Sequence, residues 1–397
     1  MSDQHGILSR FQETISNSAK NMQHVIGRGR SHSERVEQTP YRVTVSGVRG
    51  KSTVVRWLNQ ALVSRGFETY AKVTGNHPLS YRNLNQYKIP RSGSTRLYEN
   101  ERELRKYSPV DAIIAENQGI REHTTRLANE LFKPQVVLII NIRRDHQSTL
   151  GTDLTDIARV FTRTVPAGAC VISGDRNEAI NQYLREEFEK TNNEFLVATP
   201  RPEYPHKDVF GARSAFIVDE TLRALDLDPL PPAKIESYIN RLHAEWGWQR
   251  LEDGGIIANG AMMNDIESTE LLRQFLVERY GDTDSSTDTI TPFIYTRRDR
   301  AGRTTSFVHY LNWLTKHELI GQIHVAGSHA RLLERRVDCE FVHHPESAAP
   351  EDVLNVCLAD EYPIYVMGNT VSEFMRDFIS EVNQRTVDCY SCVIIDC

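Results

Sequence analysis

The run Gly47-Val-Arg-Gly-Lys-Ser-Thr53 has the residue types and spacing of a phosphate-binding loop. Glycines let backbone N–H groups approach phosphate oxygens closely, and the N-terminus of a following helix adds partial positive charge. The ammonium group of Lys51 is predicted to reach the β- and γ-phosphates of a nucleotide, and the Ser52 hydroxyl to bind Mg²⁺. The predicted nucleotide contacts therefore cover the whole run: Gly47, Val48, Arg49, Gly50, Lys51, Ser52 and Thr53.

Two further polar positions are suited to hold the metal ion that accompanies such a nucleotide. Glu116 ends the apolar run "DAIIAE", and Asp145-His146 follow the apolar run "QVVLIINI". Ligands of parallel sheets gather at the carboxyl ends of strands, so these side chains are expected in one cleft with the loop. Ser52, Glu116 and His146 are therefore predicted as metal ligands. The alternative interpretation is a glycine turn, a helix cap and two turn residues without a shared role.

The elements that must position these residues alternate along the chain. "YRVTVSG" predicts a buried strand directly before the loop, and the residues after the loop have the apolar spacing of a helix. Further short β-branched runs alternate with helical patterns, which predicts an α/β fold with a mainly parallel sheet covered on both faces. After a predicted hinge near Trp246–Gly255 the alternation restarts. The domain prediction is an N-terminal helix and linker (1–40), a P-loop ATP-binding domain (41–249) and a Rossmann-like α/β domain (250–397).

The bulk composition argues against several classes of protein. The 397-residue chain has a net charge of −6, which gives no indication of nucleic-acid binding. It has no apolar run of about 18 residues and no signal-peptide core, so a cytoplasmic location is expected. The tail "DCYSCVIIDC" contains a Cys-x-x-Cys but no matching second pair, and we interpret it as ordinary packing or a strand "CVII". Two groups of histidines, His324 with His329 and His343-His344, allow either a second metal site or polar loop residues.

At this point the chain resembles the ATP-dependent Mur ligases. The resemblance rests on "SGVRGKST", on the strand that ends in Glu116 and on "NIRRDHQSTLG". It is closest to the Mur-ligase-like subunit of poly-γ-glutamate (capsule) synthetase, because Arg49, "NDIESTELL" (264–272) and "RRDRAGRT" (297–304) are similar to elements of that branch. The fold that this implies is a P-loop central domain followed by a C-terminal Rossmann-like ligase domain.

The resemblance also implies a reaction and a set of residue roles. A substrate carboxylate attacks the γ-phosphate of ATP in the presence of Mg²⁺, and an amine then displaces phosphate from the acyl phosphate to give an amide. Lys51, Glu116, His146 and Arg250 are the implied catalytic residues. The nucleotide site would also include Asn264 and Asp265. The implied substrate-binding residues are Ser268, Thr269, Arg297, Arg300 and Arg303, with surface arginines as the alternative interpretation of the last three.

The implied partners are glutamate or a growing polyamide and a membrane-embedded partner subunit, with no nucleic acid. A homo-oligomer, and a position at the inner face of the cell membrane, are left open. Two other classes of function also remain open at this stage. "RRDRAGR" has the arginine content of a kinase lid, which favours a P-loop kinase. A nucleotide-dependent scaffold or regulatory subunit would use the same loop without turnover.

Overall fold

The structure is a computed structural model that describes most of the chain in two compact units. One unit comprises Met1–Ile142, Ser148–Ala198 and Ile217–Pro229, and the other comprises Arg143–Gln147, Thr199–Phe216 and Leu230–Cys397. Within the described residues, no helix combines the length and the apolar character that crossing a membrane requires. The described residues are 29–75, 78–90, 98–119, 121–144, 151, 153–202, 204, 209–252, 254–263, 265–280, 288–298, 301–345, 347–360, 362–368, 370 and 372–387.

The first unit is built on an eight-stranded sheet with the order β4-β3-β2-β5-β1-β6-β7-β8. Its strands are β1 (Tyr41–Ser46), β2 (Thr69–Val73), β3 (Leu79–Arg82), β4 (Asn85–Lys88), β5 (Ala112–Glu116), β6 (Val136–Ile139), β7 (Cys170–Ser173) and β8 (Glu194–Val197). Its helices are α1 (Lys51–Val63), α2 (Tyr98–Tyr107), α3 (Glu122–Phe132), α4 (Leu154–Thr162) and α5 (Glu178–Glu189).

The strand β1 lies at the centre of this sheet, where its sequence is almost continuously apolar. It pairs in parallel with β5 on one side and with β6 on the other. The β5 side chains are all buried, as are those of β6, which is typical of a parallel strand covered on both faces. The carboxyl ends of β1, β5 and β6 therefore meet at one edge of the sheet, where α1 begins.

The prediction of a linker at the end of segment 1–40 is wrong for residues 29–38, which are helical. This helix is fixed to the first unit because Val36 is fully buried in a cluster that includes Tyr70 and Leu104. The ring nitrogen Nε2 of His32 is also 2.9 Å from the Leu131 carbonyl oxygen. The polar surface of the segment suggested a loop, but one buried valine and one buried histidine are enough to dock it. The helix predicted around Ile7 lies outside the described residues.

The helix α6 spans Ala212–Ala224. The second unit contains a six-stranded sheet with the order β13-β12-β11-β14-β10-β9. Its strands are β9 (Gln249–Arg250), β10 (Ile256–Asn259), β11 (Thr291–Thr296), β12 (Gln322–Gly327), β13 (Glu340–His343) and β14 (Ile364–Met367). Its helices are α7 (Pro232–Trp246), α8 (Ile266–Tyr280), α9 (Ala301–Lys316), α10 (Ala330–Glu334), α11 (Pro350–Leu358) and α12 (Glu373–Arg385).

The helices of the second unit pack against the two faces of this sheet. Apolar residues of α8, α9 and α10 form one buried cluster, and those of α11 and α12 form another. The strand β11 is followed by α9, which packs on one face of the sheet. The neighbouring strand β14 is followed by α12, which packs on the other face. The two strands are parallel, but the helices that follow them lie on opposite faces of the sheet, and in open α/β sheets ligands bind at the carboxyl ends of strands at such a switch point.

The predicted α/β architecture with mainly parallel sheets is confirmed. The region predicted as a hinge, Trp246–Gly255, differs in detail because Gln249–Arg250 form a short strand that pairs antiparallel with β10. The hairpin of β3 and β4 at one edge was not predicted, and the fully exposed pattern of β4 shows why: it lacks the apolar alternation of a strand. The compact units divide the chain differently from the predicted 249/250 boundary, which stays a prediction. The tail strand "CVII" lies outside the described residues.

Candidate active site

The loop between β1 and α1 has the backbone shape that its glycines predict. Gly47 has φ of 111° and Gly50 has φ of 83°, both in the left-handed region that favours glycine. A Cβ atom at Gly47 would lie 2.9 Å from the backbone nitrogen of Ile140, closer than real contacts allow. The segment that follows β6 therefore packs directly against the loop, and only glycine fits at position 47. Val45, which stands where the longer loop motif has glycine, is a buried residue of β1.

Asn141 holds the loop from the end of β6. Its side-chain oxygen accepts hydrogen bonds from the backbone N–H groups of Val48 (3.2 Å) and Arg49 (3.0 Å). Its side-chain nitrogen donates to the Arg49 carbonyl oxygen at 3.1 Å. Both the oxygen and the nitrogen of the Asn141 side-chain amide are therefore hydrogen-bonded to the backbone of two adjacent loop residues. The next residue is also fixed, because the Ile142 N–H donates to the Asp175 carboxylate at 2.6 Å.

The side chains of Lys51, Ser52 and Glu116 converge at the carboxyl ends of β1 and β5. The Ser52 hydroxyl donates to Glu116 Oε2 at 2.7 Å, and Lys51 Nζ is 3.9 Å from Glu116 Oε1. The Lys51 ammonium also donates to the Gly47 carbonyl oxygen at 2.9 Å. Lys51 has a side-chain exposure of 19%, whereas Glu116 is 6% exposed, so the carboxylate lies at the base of the group and the ammonium lies nearer to solvent.

Thr74 completes the environment of the Glu116 carboxylate. Its backbone N–H donates to Glu116 Oε2 at 3.1 Å, and its hydroxyl donates to Oε1 at 3.0 Å. Both carboxylate oxygens are therefore oriented from the carboxyl end of β2, the strand next to β5. Sequence analysis missed Thr74 and Asn141. The available signal was their position directly after apolar strands, but a single threonine or asparagine at such a place is too common to be singled out.

This group has the donor chemistry that a magnesium–nucleotide complex requires. A hydroxyl and a carboxylate are hard oxygen ligands suited to Mg²⁺, and the ammonium group supplies positive charge for phosphate oxygens. The arrangement can therefore neutralise and orient a phosphoryl group, which is the main requirement of phosphoryl transfer.

Four residues of the sequence prediction lie outside the described residues. They are His146 and its neighbour Asp145, which follow β6 in the sequence, and Asn264 and Arg300 of the second unit. The roles of His146 as a metal ligand, Asn264 as a nucleotide contact and Arg300 as a substrate contact stay predictions. The described part of the predicted metal site consists of Ser52 and Glu116.

The predicted residues near the start of α8 have local structural contacts. Asp265 Oδ1 accepts a 2.8 Å hydrogen bond from the Ser268 N–H, as a helix N-cap residue does. The Thr269 hydroxyl is 2.8 Å from the Asp265 carbonyl oxygen, and Thr269 is fully buried. These contacts shape the first turn of α8, and the substrate and nucleotide roles of the three residues stay predictions. Arg250 is exposed on β9, and its catalytic role also stays a prediction.

Arg297 and Arg303 line a pocket at the carboxyl ends of β11 and β14. Thr296 ends β11 and Gly368 directly follows β14, so the pocket lies at the switch point of the second sheet. A Cβ atom at Gly368 would lie 2.5 Å from the Tyr295 carbonyl oxygen, which keeps this wall free of a side chain. The complete lining is Ile294, Tyr295, Thr296, Arg297, Arg303, Thr304, Phe307 and Gly368. Two guanidinium groups make the pocket suited to a carboxylate.

A charged network lies inside the second unit on α8. The Arg273 guanidinium donates to both Glu270 oxygens at 2.8 Å, and the Tyr310 hydroxyl donates to Glu270 Oε2 at 2.6 Å. Burial alone would raise the pKa of Glu270, but the hydrogen bonds from Arg273 and Tyr310 outweigh it and lower the pKa. Burial and the Glu270 charge raise the pKa of Tyr310. Glu270 is therefore held as a carboxylate, next to the predicted substrate contact Thr269.

The fold is similar to that of solved folylpolyglutamate synthase structures. The chain is similar to Escherichia coli FolC in complex with ADP, with a TM-score of 0.59 and 15% identity over 90% of this chain and 93% of that one. It is also similar to the bifunctional folylpolyglutamate synthase/dihydrofolate synthase of Yersinia pestis complexed with AMPPNP and Mn ion (TM-score 0.58, 15% identity, 90% and 93% coverage). The predicted two-domain α/β fold is thereby confirmed.

Sequence comparisons identify the relatives within this class. Residues 249–385 match the family model of the poly-gamma-glutamate synthase CapB C-terminal domain. The chain is 24% identical to "PGA synthase CapB" of Bacillus subtilis (strain 168) over 312 residues, which is 73% of this chain and 76% of that protein. It is 26% identical to "Capsule biosynthesis protein CapB" of Bacillus anthracis over 175 residues, 43% of this chain and 37% of that protein. The resemblance inferred from the motifs is confirmed.

Proposed function

We propose that this protein is an ATP-dependent carboxylate–amine ligase that forms an amide through an acyl phosphate and takes part in poly-γ-glutamate synthesis. The observation that carries the proposal is the 2.7 Å hydrogen bond between the Ser52 hydroxyl and Glu116, with the Lys51 ammonium 3.9 Å from the same carboxylate. It supports a nucleotide site because a loop lysine, a loop serine and a carboxylate on the neighbouring strand are combined in one group.

The proposed reaction has two steps. An oxygen of the substrate carboxylate attacks the γ-phosphorus of ATP, the bond to the β–γ bridging oxygen breaks, and ADP leaves. The amine nitrogen of the second substrate then attacks the acyl carbon, phosphate departs with the C–O bond electrons, and the nitrogen loses a proton. A carboxylate and a triphosphate repel each other, so the first step depends on positive charge at the site.

The residues of this chain provide that charge and the positioning. Lys51 would bind the β- and γ-phosphates once its hydrogen bond to the Gly47 carbonyl is exchanged for phosphate oxygens. Ser52 and Glu116 would hold Mg²⁺, which supplies Lewis-acid stabilisation of the phosphoryl group when bound. Asn141 fixes the backbone of Val48 and Arg49, which would hold the following part of the loop, from Gly50 onward, in a shape suited to phosphate. His146 and Arg250 are proposed to assist in catalysis, Asn264 and Asp265 to contact the nucleotide, and Ser268 and Thr269 to contact the substrate.

Glutamate is the proposed substrate, either free or at the end of a growing polyamide. The description of the family model that matches residues 249–385 supports this choice, as does the pocket with Arg297 and Arg303, since guanidinium groups bind carboxylates in a bidentate manner. Arg300 is proposed as a third contact of the same kind. We also propose, from the resemblance, a membrane-embedded partner subunit and a location at the inner face of the cell membrane.

Incubation of the protein with ATP, Mg²⁺ and glutamate tests this proposal. Formation of ADP, phosphate and a γ-linked glutamyl amide in equal amounts is the expected result, and Lys51→Ala should abolish it. Hydroxylamine should trap the acyl phosphate as a hydroxamate. A stable phosphorylated acid without any amide or hydroxamate would instead indicate a kinase. ADP formation that is independent of every acid and amine supplied, with membranes of the source cell also present, would overturn the ligase assignment.

A further inference from the structure

A cluster of metal-ligating side chains lies in the second unit, formed by residues that the proposed reaction does not use. His324 is on β12 and fully buried, His344 follows β13, and Cys357 is on α11 and fully buried. His324, His344 and Cys357 each offer one ligand atom, and these three atoms lie within 4.8 Å of one another. They come from three separate elements on the face of the sheet that α11 and α12 cover.

The outer contacts of His324 orient its ring as in a metal site. His324 Nε2 is 2.8 Å from Asp360 Oδ2, and the Gln322 side-chain amide donates to the other oxygen of the same carboxylate. A carboxylate cannot donate, so Nε2 carries the hydrogen and Nδ1 is left with a lone pair. That lone pair is directed at His344. Histidines that bind metals usually donate their other ring N–H to a carboxylate in this way.

The two imidazole nitrogens require only a small adjustment for an ion to enter between them. His324 Nδ1 and His344 Nε2 are 2.9 Å apart, which is a hydrogen bond between the two rings. Two imidazole nitrogens on one tetrahedral zinc ion are about 3.3 Å apart, so the rings need to separate by only a few tenths of an ångström. Binding would replace the shared proton with the metal ion. His344 is buried as well, with 5% of its surface exposed.

From this geometry we infer that His324, His344 and Cys357 bind one divalent transition-metal ion, of which zinc is the representative, with Asp360 as the outer-shell carboxylate. Two imidazoles and a thiolate suit zinc and do not suit Mg²⁺ or Ca²⁺, which prefer oxygen ligands. This site is therefore chemically different from the nucleotide-associated metal site on the first unit.

The charges of the cluster are consistent with a bound ion. A thiolate alone would be strongly disfavoured in this buried position, whereas a divalent cation with one thiolate and the nearby Asp360 carboxylate is close to neutral. The ion would connect β12, the end of β13 and α11. Since the ion would join three separate elements of the unit, the role assigned to it is structural, and with three protein ligands its fourth tetrahedral position would go to a water molecule.

Cobalt(II) in place of zinc provides the test, with the full-length protein in which Cys389, Cys392 and Cys397 are replaced by alanine. Removal of these three cysteines prevents the tail from binding metal on its own. We expect one cobalt per chain, tetrahedral d–d bands in the visible and a thiolate-to-cobalt charge-transfer band in the near ultraviolet. Cys357→Ala should remove the charge-transfer band. Cys339→Ala, in the same unit but outside the cluster, should leave it unchanged.

Asp360→Asn gives a second measurement that does not depend on removing a ligand. It should weaken metal affinity about 10- to 100-fold and leave the charge-transfer band in place at saturating cobalt. Zinc should raise the Tm of the parent protein and have no such effect on Cys357→Ala. Absence of stoichiometric cobalt binding, or a charge-transfer band that survives Cys357→Ala, would overturn the inference and leave the histidines as a hydrogen-bonded pair of the core.

Discussion

The Ser52 hydroxyl donates a 2.7 Å hydrogen bond to Glu116, although the two residues are 64 positions apart in the chain. One is in the first turn of α1 and the other ends β5, and they meet because β1 and β5 are parallel neighbours. Thr74 holds the Glu116 carboxylate from the opposite side. A carboxylate that is fixed in this way and close to a loop lysine is suited to bind a metal ion rather than to act as a base.

Glu116→Gln should therefore reduce ligase activity much more than stability. Glutamine keeps the shape and an acceptor oxygen for Ser52, but it removes the negative charge that a magnesium ion needs. We expect kcat to fall at least about 100-fold, which corresponds to about 2.7 kcal/mol, and the Mg²⁺ concentration for half-maximal rate to rise. Steady-state kinetics at several Mg²⁺ concentrations would measure both.

Glu130→Gln is the matched control for that variant, because Glu130 is an exposed residue of α3 with a weak ion pair to Arg126. Its kinetics should equal those of the parent protein. Equal loss of activity in both variants, or a Glu116→Gln protein with an unchanged Mg²⁺ dependence, would argue against Glu116 as a metal ligand.

Gly47→Ala should damage both folding and nucleotide binding. At φ of 111° an alanine is strained, and its Cβ would also lie 2.9 Å from the Ile140 nitrogen, so we expect a loss of about 2–5 kcal/mol in the free energy of unfolding. Gly66→Ala separates the two causes, because Gly66 has φ of 88° with nothing within 4 Å of a Cβ.

The expected cost of Gly66→Ala is only the backbone strain, about 1–2 kcal/mol, with ATP affinity unchanged. Denaturant unfolding and calorimetric titration with an ATP analogue would measure the two effects. If both glycine variants had the same stability and the same affinity, the close approach of the chain after β6 would have no role in shaping the loop.

Asn141→Ala should weaken ATP binding without touching the phosphates directly. It removes three hydrogen bonds that hold the backbone of Val48 and Arg49. We expect KM for ATP to rise about 10-fold or more, because the loop must then be ordered by the nucleotide, and the free energy of unfolding to fall by about 1–3 kcal/mol.

Asn141→Asp keeps the acceptor and loses the donor, so its KM should lie between those of Asn141→Ala and the parent. An Asn141→Ala protein with parental KM for ATP would show that the loop is fixed by other contacts.

The fold was predictable because its parallel strands are short, apolar and bounded by turn residues. The strands β1, β5 and β6 were all recognised from this pattern, and with them the edge where the loop and Glu116 meet. The hairpin of β3 and β4 was not recognised, because β4 is exposed along its whole length and depends on pairing with β3 for its conformation. The helix at residues 29–38 is not evident from the sequence, because its burial is limited to a few positions.

The site was predictable only in its charged and glycine positions. Lys51, Ser52 and Glu116 belong to motifs whose chemistry is evident from residue type. The Asn141 amide group contacts the loop, and Thr74 contacts the Glu116 carboxylate. No spacing rule in the sequence relates residues 74, 116 and 141. Contacts between residues that are distant in sequence require coordinates, whereas a local motif does not.

Tyr310→Phe should make stability depend less on pH. In the folded protein the pKa of Glu270 is lowered, so this group stabilises the fold above its unfolded pKa and loses that contribution as pH falls through the folded value. Without the Tyr310 hydroxyl, we expect a loss of about 1–2 kcal/mol near pH 7 that shrinks toward acidic pH, where Glu270 is protonated in both proteins. Urea unfolding between pH 3 and pH 8 would show it, and a difference that stays constant over this range would mean that lost packing is the cause.

Arg303→Ala should weaken binding of the acidic substrate and leave ATP binding unchanged. The Arg303 and Arg297 side chains both line the pocket at the ends of β11 and β14, where a carboxylate would have to shed water and gain charged donors. Loss of one charge-assisted contact corresponds to about 1.5–3 kcal/mol, so KM for glutamate should rise about 10- to 100-fold. Arg331→Ala, at an exposed arginine of α10 outside the pocket lining, is the control and should have parental kinetics. A parallel rise in KM for ATP would place the guanidinium at the nucleotide instead, and unchanged KM values for both substrates would make Arg303 a surface arginine.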